Sequence, residues 1–243
     1  PRSYLDAAEY GHLYIIKDLN KCGSAPLSDG EIVISFAASM GYLDIIKYLY
    51  GAGFNAKSPD SLALQFAVVG NHLHIVKWLI DVAHLEIHVA NGYPIRASAE
   101  YGHTEILKFL VARGAWARLA INDKICSINW ASKNGHIEIV KFLTTELPDT
   151  ATMIDTACQW AAYGGHIPIV KYLSQIGARV PSYIKNLIYI AIKNNDIESI
   201  SFLLTIGSEL IYKKTDIKLF CDYAEYCKKY TVLEYLKNYK KNI

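Results

Sequence analysis

One phrase returns along the whole chain: a small residue, a loop Gly-His, then an apolar pair, Lys, an aromatic ring and Leu. It runs from Gly11-His12 to Leu19, Gly41-Tyr42 to Leu49, Asn71-His72 to Leu79, Gly102-His103 to Leu110, Gly135-His136 to Leu143 and Gly165-His166 to Leu173. Weaker copies follow at Asn195-Asp196 to Leu203 and Lys228-Lys229 to Leu236. Successive loop residues are 30, 30, 31, 33, 30, 30 and 33 positions apart, so the chain is an array of eight units, and residues 1–243 form one repeat domain with no room for a second.

Within a unit the apolar residues fall at helical spacing, as in Ile139, Val140 and Leu143, which predicts an amphipathic helix after each loop. A second short helix is predicted before it. Ala7, Ala37, Ala67, Ala131, Ala161 and Ala191 recur four positions ahead of the loop, where a missing side chain lets two antiparallel helices approach closely. The loop Gly, or Asn at 71 and 195, suits a helix end that turns through a left-handed conformation. Asp44, Glu105, Glu138 and Glu198 stand in the first turn of the second helix, where the helix dipole favours acids.

These residues resemble the ankyrin repeat over essentially the whole chain. The family phrase Ala-Ala-x-x-Gly-His-x-Glu-Ile-Val-Lys-x-Leu, followed by Gly-Ala and a hairpin, is matched closely at Ala131 to Leu143 and at Ala161 to Ala178. The family's Thr-Pro-Leu-His opening of the first helix is largely missing: Pro94 keeps the proline, Thr156 the threonine, and Ser35, Gln65, Arg96, Asn129, Gln159 and Tyr189 fill the histidine position. The resemblance implies an all-α solenoid of about eight stacked helix-turn-helix repeats joined by short hairpins or loops. With 20 Lys against 5 Arg and abundant Ile, Asn and Tyr, the chain is also similar in style to the arrays of giant amoeba-infecting DNA viruses of the mimivirus type. In the repeat frame Pro1 falls inside the first helix of the first unit, so a fragment lacking its N-terminus is expected.

Composition narrows the function. With 52% hydrophobic and 20% charged residues the chain can bury a core, and a net charge of +2 is too near balance for a whole-molecule nucleic-acid or membrane surface. No stretch reaches the roughly 18 consecutive apolar residues of a membrane span. Five cysteines without a CxxC pair fit a reducing intracellular setting, expected to be the cytoplasm, of the host if the viral resemblance holds, with the nucleus as the alternative.

Candidate chemistry is thin. Gly51 to Ser58 falls one residue short of a phosphate-binding loop, because Ala56 stands where the wrap needs glycine, and the same Gly-Ala recurs at Gly114 and Gly177 as part of the repeat. His84 and His88 would share a helical face, near His72 and His74, but no cysteine or carboxylate cluster joins them at ligand spacing. His12, His72, His103, His136 and His166 occupy one repeat position, on the order of 10 Å apart along a stack, and are read as hydrogen-bonding residues of the inter-helix loop. No Gly-x-Ser-x-Gly elbow or activated cysteine is apparent. Neither catalysis, a cofactor, a metal nor a small-molecule substrate is expected.

Recognition is therefore sought on the surface. Tyr48, Trp78, Phe109, Phe142, Tyr172, Phe202 and Tyr235 share one second-helix position, and Phe36, Phe66, Trp130 and Trp160 share a first-helix position five before the loop; both periodic sets are read as core. The two residues just before each loop vary in charge and size, as recognition rather than packing would have it. The resemblance implies that first helices and hairpin tips line a concave face, which makes Tyr10, Met40, Tyr101 and Tyr163, with tip residues Phe54, Trp116 and Arg118, the candidate partner-binding set. The expected function is a non-catalytic scaffold that binds a protein, a host factor under the viral reading. The alternative is nucleic-acid association through residues 211–243, whose eight Lys against four acids interleave with Tyr223, Tyr226, Tyr230, Tyr235 and Tyr239. That segment otherwise reads as a solubilising cap with Tyr230 and Tyr235 packed inward.

Overall fold

The predicted helix pairs form at every copy of the phrase. The computed structural model describes residues 2–22, 30–54, 62–87, 92–146, 151–179, 183–207 and 214–241. Among them sixteen helices alternate as first and second members of eight pairs: α1 (Arg2–Glu9) with α2 (Leu13–Lys21), α3 (Gly30–Met40) with α4 (Leu43–Gly51), α5 (Leu62–Val69) with α6 (Leu73–Asp81), α7 (Tyr93–Tyr101) with α8 (Thr104–Ala112). The series continues with α9 (Ile121–Lys133) and α10 (Ile137–Thr145), α11 (Ala151–Gly164) and α12 (Ile167–Gln175), α13 (Ile184–Asn194) and α14 (Ile197–Ile206), α15 (Lys214–Tyr226) and α16 (Tyr230–Lys241). No described residue is in a strand, and no helix of the described residues is long and apolar enough to cross a membrane. Most of the connections expected as hairpins lie outside the described residues; residues 113–118, described throughout, are a run of turns.

Each pair is closed by one hydrogen-bond pattern. The residue after the loop position donates its backbone N–H to the carbonyl of the small residue four before the loop: His12 to Ala7, Tyr42 to Ala37, His72 to Ala67, His103 to Ser98, His136 to Ala131, His166 to Ala161, Asp196 to Ala191 and Lys229 to Ala224. These bonds span 2.8–3.0 Å. They are the six-to-one bonds of a Schellman ending, and the loop residue itself lies in the left-handed region at all eight sites, including Asn71, Asn195 and Lys228. The predicted alanines are buried to 2% exposure or less, as is Ser98, whose hydroxyl donates to the Pro94 carbonyl and so hides its polarity.

The chain divides into two compact units, Pro1–Ser127 and Ile128–Ile243. In the first, α1, α3, α5 and α7 pack in sequence as one layer, while α2 meets α4 and α6 meets α8. In the second, α11, α13 and α15 pack in sequence, and α10 meets α12. The core is correspondingly serial: six of the eight second helices bury an aliphatic pair and a following Leu, such as Ile75, Val76 and Leu79 or Ile169, Val170 and Leu173, while α2 buries Ile16 alone and α14 buries Ile200, Leu203 and Leu204. Stability of this kind is a sum of local pairs and neighbour interfaces.

The recurring His and Lys explain how neighbours are joined. The histidine caps its helix by position but makes no capping bond with its side chain. Instead the imidazole Nε2–H donates to the carbonyl two residues before the preceding loop: His72 to Ser39 at 2.9 Å, His103 to Val69 at 3.1 Å, His166 to Lys133 at 2.8 Å. His72, His103 and His166 thus hydrogen-bond, as predicted, but between repeats rather than within one loop. In the seventh unit Asp196 replaces the histidine and caps α14 locally, accepting from the Ser199 N–H at 3.0 Å and its hydroxyl at 2.5 Å. The phrase's lysine reaches the aromatic ring of the next second helix, Lys17 over Tyr48 at 5.6 Å, Lys77 over Phe109 at 5.8 Å and Lys171 over Phe202 at 6.0 Å. That aromatic row is half-buried between helices.

Candidate functional site

Helix α11 carries two opposed stripes. Ala157, Cys158, Ala161 and Ala162 are buried against its neighbours. Thr156, Gln159, Trp160 and Tyr163, at the spacing i, i+3, i+4, i+7, form the opposite stripe and line a pocket of about 460 Å³ with Lys133 and Tyr183. Trp130 of α9 lies parallel to Trp160 with ring centroids 6.4 Å apart; Tyr163 meets Trp160 edge to face at 5.8 Å and Tyr183 does the same to Tyr163 at 5.8 Å. The Lys133 ammonium sits 4.5 Å from the Trp130 ring centre, 5.5 Å from Trp160 and 6.0 Å from Tyr163. Four large rings and one cation thus share a surface on which Tyr163 is 60% exposed and Trp160 40%.

This corrects the reading of the first-helix aromatics as core. Phe36, Phe66, Trp130 and Trp160 are all exposed. The alanine four before the loop points into the helix pair, and a residue one position earlier is turned about 100° away from it. Repetition arises here because stacked repeats set equivalent residues side by side, as Trp130 and Trp160 show, and not because the position is dry.

The predicted set divides. Tyr10, Met40 and Tyr101 are exposed in the first unit, and Tyr163 belongs to the pocket in the second. Tyr101 stacks on His103 at 6.0 Å, while Phe54 is half-buried because its ring packs on Gly30 at the start of α3. Trp116 is not a tip residue: it is 4% exposed, with Lys124 5.5 Å over its ring, and the turn from Arg113 to Leu119 folds it into the unit. Arg118 is exposed beside a second pocket of about 490 Å³ that includes Ile80, His84 and Arg113. Tyr230 is also corrected, since it is 67% exposed and does not pack inward, whereas Tyr235 is half-buried. Of the pocket residues Tyr183 escapes the sequence reading, whereas Lys133 is one of the variable residues before its loop, and the α11 stripe is legible as a second helical period running beside the alanines.

Among the described residues no three His, Cys, Asp or Glu side chains converge on a metal position. His88 and the segment Asn55 to Ser58 of the phosphate-like loop lie outside the described residues; Gly51 before it ends a helix. Burial pushes the Cys158 thiol up to about 11, which leaves it protonated and unreactive at neutral pH.

One ion pair fastens α11. Asp155 is 7% exposed and accepts from the Arg179 backbone N–H at 2.7 Å and its Nε at 2.6 Å, tying the segment after α12 to the helix that carries the pocket. Burial raises the carboxyl, and the two bonds from Arg179 outweigh it, so the group stays below its ordinary value of 3.8. A depressed native value stabilises the fold above the unfolded-state value and loses that contribution as pH falls through the native one. Asp155→Ala is expected to lower unfolding free energy by about 2 kcal/mol at neutral pH. Urea titrations of both proteins at a series of pH values should show the difference closing below pH 3.8.

A family model described as ankyrin repeats (three copies) matches residues 5–91 and again 128–214. No curated protein matches the chain. The two matched segments cover more than half of the sequence, and with the repeated helix pairs and their left-handed endings they establish that this chain belongs to the ankyrin-repeat family.

Proposed function

We propose that the protein is a non-catalytic scaffold that binds a partner protein on the first-helix face of residues 128–243, centred on Trp160 and Tyr163. Ankyrin repeats in general mediate protein–protein interaction and are typically not enzymes. The observation that carries the reading here is the exposed cluster of Trp130, Trp160, Tyr163 and Tyr183 around Lys133. Trp and Tyr are the residues that most often dominate interface energy. Because these rings already rest on one another, a partner orders little that is not already ordered. In the first unit Tyr10, Met40 and Tyr101, with Phe36 and Phe66, offer a further set of exposed first-helix side chains for the same kind of use. Five unpaired cysteines, with Cys22 and Cys126 exposed, support a reducing intracellular setting, and the 20-to-5 preference for Lys over Arg supports a host-cell partner of an amoeba-infecting virus.

The rival reading, nucleic-acid association, draws on Tyr226 and Tyr230, exposed beside Lys228 and Lys229 in the last unit. Titration of variants against the partner retained from host-cell lysate separates the two. Trp160→Ala is expected to weaken binding about thirtyfold with an unchanged circular dichroism spectrum, and Lys237→Ala with Lys240→Ala to change it little. If the lysine variants abolish binding while Trp160→Ala leaves it intact, the C-terminal repeat is the site. A steep salt dependence of retention on a DNA or RNA column would point the same way.

A further inference from the structure

The charge at the aromatic pocket is not neutral toward its occupant. We propose that the pocket selects an acidic partner segment, one that presents an aromatic side chain flanked by carboxylates, with the ring on Trp160, Tyr163 and Tyr183 and a carboxylate on Lys133. The inference rests on the docking reading above and adds to it the sign of the partner.

The Lys133 ammonium lies over three ring faces, and it has no carboxylate partner among the described residues. No acidic side chain is among the described residues that line the pocket. Ring faces carry the negative end of the aromatic quadrupole, and here an internal cation already occupies them. A guest lysine or arginine would compete for those faces and meet like charge. A guest carboxylate meets an ammonium without a counter-charge.

A carboxylate alone gains little from a half-exposed lysine, so the binding strength has to come from apolar burial. The pocket, at about 460 Å³, has room for an aromatic side chain, and its rings offer edges and faces to it. Gln159 and Thr156 in the lining provide amide and hydroxyl groups for the backbone of an extended segment. A nucleotide also joins a ring to an anion, but the local charge disfavours it. One ammonium offsets one carboxylate there; it does not offset a phosphate dianion, and no arginine fork lines the pocket among the described residues.

Calorimetric titration of the intact chain tests this with four synthetic peptides on one Gly/Ser frame: a single tryptophan flanked by two glutamates on each side, the same with glutamines, the same with lysines, and the glutamate peptide with alanine for tryptophan. The glutamate–tryptophan peptide is expected to bind about tenfold tighter than the glutamine version, with the lysine and alanine versions weaker still. Lys133→Met should erase the preference for glutamate over glutamine. That variant keeps the Lys133 carbonyl that receives His166, so its circular dichroism should match the parent. Equal binding of the acidic and basic peptides, a preference that survives Lys133→Met, absence of binding at millimolar glutamate–tryptophan peptide, or displacement of that peptide by adenosine monophosphate at comparable affinity would each overturn the proposal. If Trp160→Ala still destroys partner binding while the peptides show no preference of sign, the docking face stands and this inference alone falls.

Discussion

Trp116→Ala is expected to lower the unfolding free energy by about 3–5 kcal/mol, the range for truncating a buried large aromatic. The residue is 4% exposed in the turn that follows α8, between Ala115 and the equally enclosed Leu119. That turn is fastened at both ends, by the Ala115 N–H to the Leu110 carbonyl at 3.1 Å and by the Leu119 N–H to the Trp116 carbonyl at 3.2 Å. It therefore has little freedom to collapse into the space an indole would leave. The Lys124 ammonium over the ring would lose its aromatic partner as well. Because the buried indole N–H has no hydrogen-bond partner among the described residues, Trp116→Phe removes a buried polar group together with part of the volume. That variant is expected to cost under about 1.5 kcal/mol. Urea unfolding followed by circular dichroism measures both. A Trp116→Ala protein as stable as the parent would show that the side chain is not part of the packing.

Gly135→Val carries the second large effect, about 3 kcal/mol, from two sources. At φ +86° the residue is left-handed, a conformation from which a β-branched side chain is nearly excluded. A Cβ there would also lie 2.6 Å from Cε1 of the His166 ring, which packs on this glycine while donating to the Lys133 carbonyl. Moving the ring breaks that bond between repeats. Gly135→Asn separates the sources, since asparagine occupies the same loop position with left-handed backbone at 71 and 195. Its cost is expected to be well under that of valine. The neighbouring Gly164 is constrained differently: its backbone is not left-handed, but a Cβ would overlap the Lys133 carbonyl itself, so a side chain there would push this end of α11 away from that carbonyl.

Local rules made the repeat legible. The 30-to-33-residue step, the alanine four before each loop and the Gly or Asn at the turn are choices a single helix pair imposes on itself, so one strand of text contains them. Lys228 at the last loop shows the limit, because nothing in its identity announces the left-handed conformation that the surrounding pair enforces. Trp116 was misplaced for a related reason. A residue in the Gly-Ala connection reads as a tip only if the connection projects, and that depends on how residues 113–119 fold against α8.

By itself, then, the amino-acid order determined the helical class, the eight pairs, the inward alanines and the family, because each follows from periods inside about thirty residues. Tertiary structure decided which recurring side chains are wet. Repetition says only that a residue meets the same surroundings in every unit; Ala161 and Trp160 repeat equally well, yet one is buried in its helix pair and the other stands exposed beside Trp130. It also decided the partners of the repeated polar groups. His166 reaches a carbonyl 33 residues back and Lys171 a ring in the following second helix, so neither bond could be assigned until the distance between neighbouring repeats was set by their packing.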